Sequence, residues 1–473
     1  MYYQTLLFLG TAVAAAAAAS PPIPTAAQLR LMRDVGLAQF MHFSVNPWSS
    51  IEHNCVGDSP ECIPAAVFNP TNLSTDQWVE TAVAFGAKEI CLTAHHEGGF
   101  ALWDTAFTNY SVMHSPYGRD VVAQFVQSCK RYGIKPCYYM GPNANGWLSN
   151  HKKVSASEFV RRQLGMLEEL LTKYELPPSR LWWDHYPSGC GGLAPCPNGS
   201  FPAAWPQFVE LVRAKSPATI ICPGPDCDGH QGESGLATYP SWFPCDPQPD
   251  PDHPGVELKC GDHAPNASLT GFHPYEACAT MHNGWFCKGD GSDLKTNTYW
   301  SAGEIWDHYM NSVGVGWVNT LNAPPGTTGQ IPQPLVTEMT TFGSALRALL
   351  EPVVPALSDV VGTTCQNTTI ATIKLDDDDD AFNAIISRED LSHGQRIVSY
   401  ALDFSTDFGA TWRQFQFSTK HGASVGAQMI DFVSPPPPSG VRQVRFRCIA
   451  SMAEPVYLAS FSLHAGARPS SGI

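Results

Sequence analysis

The stretch Ile90–Asp104, ICLTAHHEGGFALWD, concentrates side chains that can do chemistry. Its first half, ICLTA, reads as a buried strand. It delivers His95, His96 and Glu97 at the strand's carboxyl end, followed by Gly98-Gly99 and the aromatics Phe100 and Trp103. In α/β folds that edge is where loops converge on a ligand. Two imidazoles, a carboxylate and an indole suit a polar ligand with apolar faces, such as a sugar. A metal-binding pair, or loop histidines satisfied by their neighbours, are the competing readings. A second run, RLWWDH (180–185), is a strand ending in Asp184 between aromatics. A carboxylate there can be a nucleophile or base beside an indole able to stack on a sugar face, or it can cap a helix. Glycoside hydrolysis needs two carboxyls, one to protonate the leaving oxygen and one to attack the anomeric carbon. Glu233, in GESG, and Glu276, in HPYE just before GWF, are the partner candidates, and spacing does not choose between them.

These groups need a scaffold that presents strand ends. From Leu37 to about Ser216 strand and helix patterns alternate. Strands are expected at Leu37–Phe43, Lys88–Ala94, Ile134–Met140, Arg180–Asp184 and Ala218–Cys222. Helices are expected at Thr75–Phe85 (capped by Ser74), Val121–Tyr132 (ended by Gly133), Ser155–Tyr174 and Trp205–Ala214. Strands joined by crossover helices are parallel, and this many units favour a (β/α)8-type barrel over an open doubly wound sheet. Residues 223–300 are rich in Pro, Gly, Asp and Cys and read as active-site rim loops. A helix at Ala302–Val313, a strand at Val315–Leu321 and a helix at Val336–Leu349 follow. After Pro355 short alternating runs (Thr369–Lys374, Asn383–Ser387, Arg396–Phe404, Trp412–Phe417, Gln443–Cys448) predict a C-terminal antiparallel β-sandwich. The expected division is a signal peptide at 1–19, a catalytic barrel at 20–355 and the sandwich at 356–473.

Of 473 residues, 43% are hydrophobic and 15% charged, a globular composition; the net charge is −15 and no basic patch stands out, which argues against a nucleic-acid partner. Leu6–Ala19 resembles a secretory signal without a basic n-region. Five glycosylation sequons, at Asn72, Asn109, Asn198, Asn266 and Asn367, and 15 cysteines support an exported, disulfide-bonded glycoprotein. Cys190 with Cys196, Cys222 with Cys227, and Cys365 with Cys448 are expected pairs, and Cys91 and Cys137 are candidate free thiols. No other long apolar run suggests a membrane span.

The chain resembles the α-L-fucosidases of glycoside hydrolase family 29. The resemblance rests on FMHFSVNPW (40–48), FNPTNLSTDQWVETAVAFGAKEICLTA (68–94), GGFALWD (98–104), LWWDH (181–185) and NTLNAPPGTTGQIP (319–332). Segments PDCDGHQGESGLA (225–237) and HPYEACATMHNGWF (273–286) are most similar to the branch acting on α-1,3/1,4-linked fucose. The resemblance implies Asp184 as nucleophile and Glu233 as acid/base. It implies sugar contacts by His42, His96, Tyr139 and Trp285, with Glu52 and His53 where the family has a Glu-Trp pair. His95, Glu97, Trp182 and Glu276 complete the expected substrate-binding set. The family's usual LTAKHHDGF stands here as LTAHHEGGF. Aligned without a gap, His95 replaces Lys, Glu97 replaces the second His and Gly98 replaces Asp. The implied function is a secreted retaining exo-glycosidase releasing terminal α-L-fucose from oligosaccharide or glycoprotein glycans, with no metal or organic cofactor. A non-catalytic fucose-binding relative is the alternative.

Overall fold

The computed structural model describes residues 21–49, 51–55, 61–184, 204–227, 233–237, 239–245, 248–249, 257–258, 270–362, 364–376, 381–418 and 421–470. The signal segment, the Cys190/Cys196 pair, His185, Asn198, Asn266 and most of the Asp376–Asp380 run lie outside them.

After a short helix α1 (Ala26–Arg30), strand and helix alternate. The order is β1 (Leu37–Met41), α2 (Thr75–Phe85), β2 (Glu89–His95), α3 (Val121–Tyr132), β3 (Lys135–Met140), α4 (Ala156–Thr172), β4 (Arg180–Trp182), α5 (Trp205–Lys215) and β5 (Ile220–Ile221). The helix limits follow from local chemistry. Ser74 accepts the Gln77 N–H at 3.2 Å and Asp120 accepts that of Ala123 at 2.7 Å, while Gly86 and Gly133 take the left-handed conformation that ends α2 and α3. The long connection after β5 carries two short antiparallel pairs, β6 (Pro244–Cys245) with β9 (Gly271–Phe272) and β7 (Gln248–Pro249) with β8 (Glu257–Leu258). Then come β10 (Glu276–Thr280), α6 (Ala302–Met310), β11 (Val318–Asn322) and α7 (Gln333–Leu350). Strand β10 falls in the stretch read as rim loops. Its sequence, EACAT, offers one β-branched residue and little periodicity.

Seven strands form one parallel sheet in the order β10-β11-β1-β2-β3-β4-β5. The sheet is curled, because side chains distant in that order meet across its inner side. Arg180 of β4 donates from Nε to Glu89 at 2.7 Å and from Nη2 to Thr320 of β11 at 3.0 Å, and its Nη1 lies 3.4 Å from Glu276 of β10. All four residues are fully buried. Above this polar layer Phe40, Cys91, Cys137, Tyr139, Trp182 and Cys278, from five strands, pack in one cluster. Among the described residues no strand joins β5 to β10.

Beyond α7 lie two four-stranded antiparallel sheets. One orders β12 (Leu357–Gly362), β19 (Val456–His464), β14 (Ala384–Glu389) and β17 (Met429–Phe432). The other orders β13 (Thr368–Lys374), β18 (Gln443–Ser451), β15 (Ile397–Ser405) and β16 (Arg413–Gln414). Ile385, Leu458 and Phe461 of the first share a hydrophobic cluster with Ile373, Leu402 and Phe446 of the second. Ala384, Ile386 and Ile430 instead join the core of the α/β unit, and Phe432 meets Trp306 of α6 at 6.1 Å between ring centroids. The antiparallel sheets are thus packed onto the α/β unit.

Disulfides join Cys55–Cys62, Cys91–Cys137, Cys222–Cys227 and Cys365–Cys448. The second of these corrects the expectation of free thiols at Cys91 and Cys137. The two residues are direct partners on adjacent strands β2 and β3, a register that sequence spacing does not reveal. Free, buried thiols are found instead at Cys129, Cys278 and Cys287. Asn72, Asn109 and Asn367 are exposed. No helix among the described residues is long and apolar enough to cross a membrane.

Candidate active site

At the carboxyl ends of the parallel strands lies a cavity of about 370 Å³, lined by Phe40, His42, Glu52, His53, His96, Glu97, Tyr139, Trp182, Asp184, Glu233, Cys278 and Trp285. A larger, more apolar hollow of about 480 Å³ opens at the opposite edge, among residues such as Pro136, Leu176 and Pro178, and no carboxylate lines it.

Strand β3 brings Tyr139 to Asp184, and its hydroxyl donates to Asp184 Oδ2 at 3.0 Å. Burial and the neighbouring carboxylate hold the Tyr139 phenol well above its ordinary pKa, so it stays a donor. Tyr139 stacks on Trp182 at 5.4 Å and on His96 at 5.4 Å, forming one continuous aromatic wall. Phe40 packs edge-on against Trp182 at 5.2 Å. On the opposite side, Trp285 is held at three points. Its backbone N–H donates to Glu52 at 3.0 Å, its indole N–H donates to Glu233 Oε2 at 3.1 Å, and its carbonyl accepts from Asn322 at 2.9 Å.

Asn322, at the end of β11, sets the protonation of His42. Its amide group donates to Thr280 Oγ1 and to the Trp285 carbonyl, so its oxygen must accept. That oxygen lies 3.1 Å from both the backbone nitrogen and Nδ1 of His42. Nδ1 therefore carries the proton and Nε2 is an acceptor. Burial, followed by the neighbouring His96, holds the His42 pKa well below its ordinary value, so the ring is neutral. Glu97 behaves differently. Its Oε2 lies 3.3 Å from His53 Nδ1, and this contact raises the His53 pKa against the opposing effect of burial.

His95 and Glu276 do not join the site. The His95 ring stacks against Trp103 at 6.3 Å, its Nδ1 donates to the His96 carbonyl at 3.0 Å, and burial lowers its pKa to about 4. The register of β2 explains the reversal. A shift between Thr93 and His95 inserts an extra residue, sending His95 to the outer side and His96 into the cavity. His95 and His96 therefore do not form a metal-binding pair. Among the described residues no group of three or more His, Cys, Asp or Glu is arranged to hold a metal ion. Glu276 lies one layer below the cavity and accepts the Trp182 indole N–H at 3.2 Å. Its carboxyl is pushed up by burial, against the pull of Arg180. Phe40, Cys278 and Asn322 were not singled out from the sequence. Asn322 carried little signal, because its strand, VNTLN, already contains the polar residues Asn319 and Thr320.

The glycines after Glu97 are packing requirements. A Cβ on Gly98 would sit 2.7 Å from the Asn54 carbonyl oxygen, and one on Gly99 would sit 2.0 Å from Asn145 Oδ1. The loop holding Asn54 is tied by the Cys55–Cys62 disulfide. Gly98 thus leaves room for that loop, whose Glu52 and His53 line the cavity.

A parallel sheet whose carboxyl edge opens into an aromatic-walled cup lined by four carboxyls, Glu52, Glu97, Asp184 and Glu233, defines an α/β protein with a site suited to a polar ligand that has apolar faces. The chain belongs to the alpha-L-fucosidase family, whose model matches residues 62–349. It is 29% identical over 320 residues to alpha-L-fucosidase 1 of Arabidopsis thaliana, covering 66% of this chain and 57% of that protein. It is 22% identical over 275 residues to plasma alpha-L-fucosidase of Rattus norvegicus, covering 56% of this chain and 52% of that one. The chain thus spans little more than half the length of these relatives. Among solved structures, a glycoside hydrolase 29 family member from a rumen bacterium shares the fold, with TM-score 0.70 at 22% identity over 96% of this chain and 79% of that one. A Ruminococcus gnavus GH29 fucosidase in complex with fucose does too, with TM-score 0.68 at 18% identity over 97% of both chains.

Proposed function

We propose that this protein is a retaining exo-glycosidase that releases terminal α-L-fucose, α-1,3- or α-1,4-linked, from oligosaccharides or glycoprotein glycans. One observation carries the reading. Asp184 and Glu233 open into the same cavity, and each is oriented by a donor from a different wall, Tyr139 and Trp285. In the first step Asp184 attacks the anomeric carbon, the bond to the leaving oxygen breaks, and Glu233 gives that oxygen its proton. In the second, water attacks the same carbon and gives up a proton to Glu233, and Asp184 leaves as carboxylate. The Tyr139 hydroxyl, donating to Oδ2, fixes the direction of the Asp184 carboxyl group. Neutral His42 offers an acceptor for a sugar hydroxyl, and the Glu97–His53 pair and Glu52 offer charged partners for others.

The same reading extends to architecture and location. The curled sheet is taken as most of a (β/α)8 barrel spanning 20–355, and the two antiparallel sheets as a sandwich at 356–473; the shared hydrophobic cluster supports the latter. The disulfides and the exposed sequons at Asn72, Asn109 and Asn367 favour secretion after removal of residues 1–19. The test is incubation with a 2-fluoro-fucosyl fluoride followed by peptide mass mapping, which should place one fucosyl group on Asp184. Asp184→Asn should lower turnover of an aryl α-L-fucoside roughly a thousandfold or more with the fold intact. A label on another carboxylate, or a variant retaining more than about a tenth of the rate, would overturn the assignment.

A further inference from the structure

The segment that bears Glu233 is held from two sides. The α/β unit holds its first half: Asn319 Nδ2 donates to the Gly235 carbonyl at 3.2 Å, and the Ala237 N–H donates to the Asn311 carbonyl at 2.7 Å. The antiparallel unit holds its second half. Gln395, fully buried between β14 and β15, accepts the Phe243 N–H at 3.0 Å and donates from Nε2 to the Ser241 carbonyl at 2.9 Å. One side-chain amide thus pairs with a backbone donor and a backbone acceptor two residues apart, as a neighbouring strand would. The Tyr239 hydroxyl accepts the Ala423 N–H at 3.0 Å. Phe243 packs beside Gly426, where a Cβ would come within 3.4 Å of its ring and 3.2 Å of Gln395 Nε2. Gln395 is itself fixed, because Oε1 of the Glu389 carboxyl group accepts the N–H groups of Arg396 and Ile397 just after it.

We propose that Gln395 is a positioning residue through which the antiparallel unit holds the Glu233 loop in register with the cavity. The proposal rests on the reading of Glu233 as acid/base. Glu233 is exposed, and Trp285 supplies its side-chain hydrogen bond, so the aim of its carboxyl depends on where the loop backbone is fixed. A general acid acts only within hydrogen-bond reach of the leaving oxygen. Displacement of about 1 Å typically costs on the order of a hundredfold in rate. Asn is too short to span Ser241 and Phe243, and Leu has the volume without either hydrogen bond.

Gln395→Leu tests this in the full-length protein. Hydrogen–deuterium exchange of amides in 233–245 should quicken on the order of tenfold or more, with α2, α3 and α4 unaffected. On a fucosyl disaccharide, whose leaving group needs a proton, kcat should fall on the order of tenfold or more. On a dinitrophenyl α-L-fucoside it should fall far less. In a Glu233→Ala background, Gln395→Leu should cause no further loss on the disaccharide. Unchanged exchange overturns the clamp. Faster exchange with equal losses on both substrates overturns its role in aiming the acid. If Glu233→Ala itself loses both substrates equally, the assignment of Glu233 fails and the proposal falls with it. Should Gln395→Leu not fold, Tyr239→Phe, which deletes only the hydroxyl bonded to Ala423, should move both readouts the same way by less. Neither moving refutes the proposal.

Discussion

Replacing Glu276 separates a buried support from a catalytic acid. Glu276 is fully buried, accepts from Trp182 Nε1 at 3.2 Å and faces Arg180 Nη1 at 3.4 Å. Arg180 keeps a second carboxylate, Glu89, at 2.7 Å, so Glu276→Ala does not strand an unpaired cation. What it strands is the indole N–H of Trp182, at about 1–3 kcal/mol, and it leaves a hollow where the side chain was. We therefore expect Glu276→Ala to lose about 2–4 kcal/mol of stability, less than the ~3–5 kcal/mol typical of breaking an isolated buried pair. Glu276→Gln keeps an oxygen for Trp182 and should lose about 1 kcal/mol or less. Urea denaturation of the two variants measures the difference. Because the effect reaches the cavity only through Trp182, Glu276→Ala should slow an aryl fucoside and a fucosyl disaccharide by the same factor, and added azide should not restore either. Glu233→Ala should instead spare the activated substrate and respond to azide, which stands in for the base-activated water. Azide rescue of the Glu276 variant alone would show that the two carboxyls have been assigned in reverse.

Two further outcomes follow from packing and charge. Gly98→Asp restores the residue usual in the family, but its Cβ would meet Asn54 at 2.7 Å. It should cost roughly 1–3 kcal/mol of stability and weaken substrate binding through the displaced Glu52–His53 loop, read as a lower melting temperature and a higher KM; an unchanged melting temperature would contradict the close contact. Glu389 is buried and its pKa is raised to about 8, so the folded chain holds a proton there that the unfolded chain releases near 4.5. Its contribution to stability is therefore present below the unfolded pKa and is lost as pH rises through the folded one. Glu389→Gln should gain stability relative to the parent between pH 5 and pH 8, and parallel stability–pH curves for the two would refute the burial argument.

Sequence legibility tracked the range of the interactions involved. Helices α2 and α3 could be bounded to the residue because Ser74, Gly86, Asp120 and Gly133 act within one turn of the ends they cap. Asp184 was visible as a candidate because it follows an apolar strand, but a helix-capping carboxylate has the same local pattern, so the family resemblance had to separate the two readings. Adjacent groups were harder. Simple alternation from Cys91, which faces inward, would carry His95 inward too, and only the register shift in β2 puts His96 in the cavity instead. Local sequence did not separate Glu276 from Glu233, and only the family resemblance favoured Glu233; what sets Glu276 below the cavity is its place beside Arg180, a residue 96 positions away and silent in any local pattern. Gln395 is the extreme case. It lies 152 and 154 positions from the backbone groups it bonds, and nothing in its neighbourhood marks it. Those two hydrogen bonds also give the antiparallel unit a role beyond covering the hydrophobic side of α6 and α7: it completes the wall that carries Glu233. Cutting the chain after α7 would therefore remove the contacts that Ala384, Ile386 and Ile430 make in the core and free the loop that carries Glu233 at the same time. A truncated α/β unit is expected to be both unstable and catalytically misaligned, for two separable physical reasons.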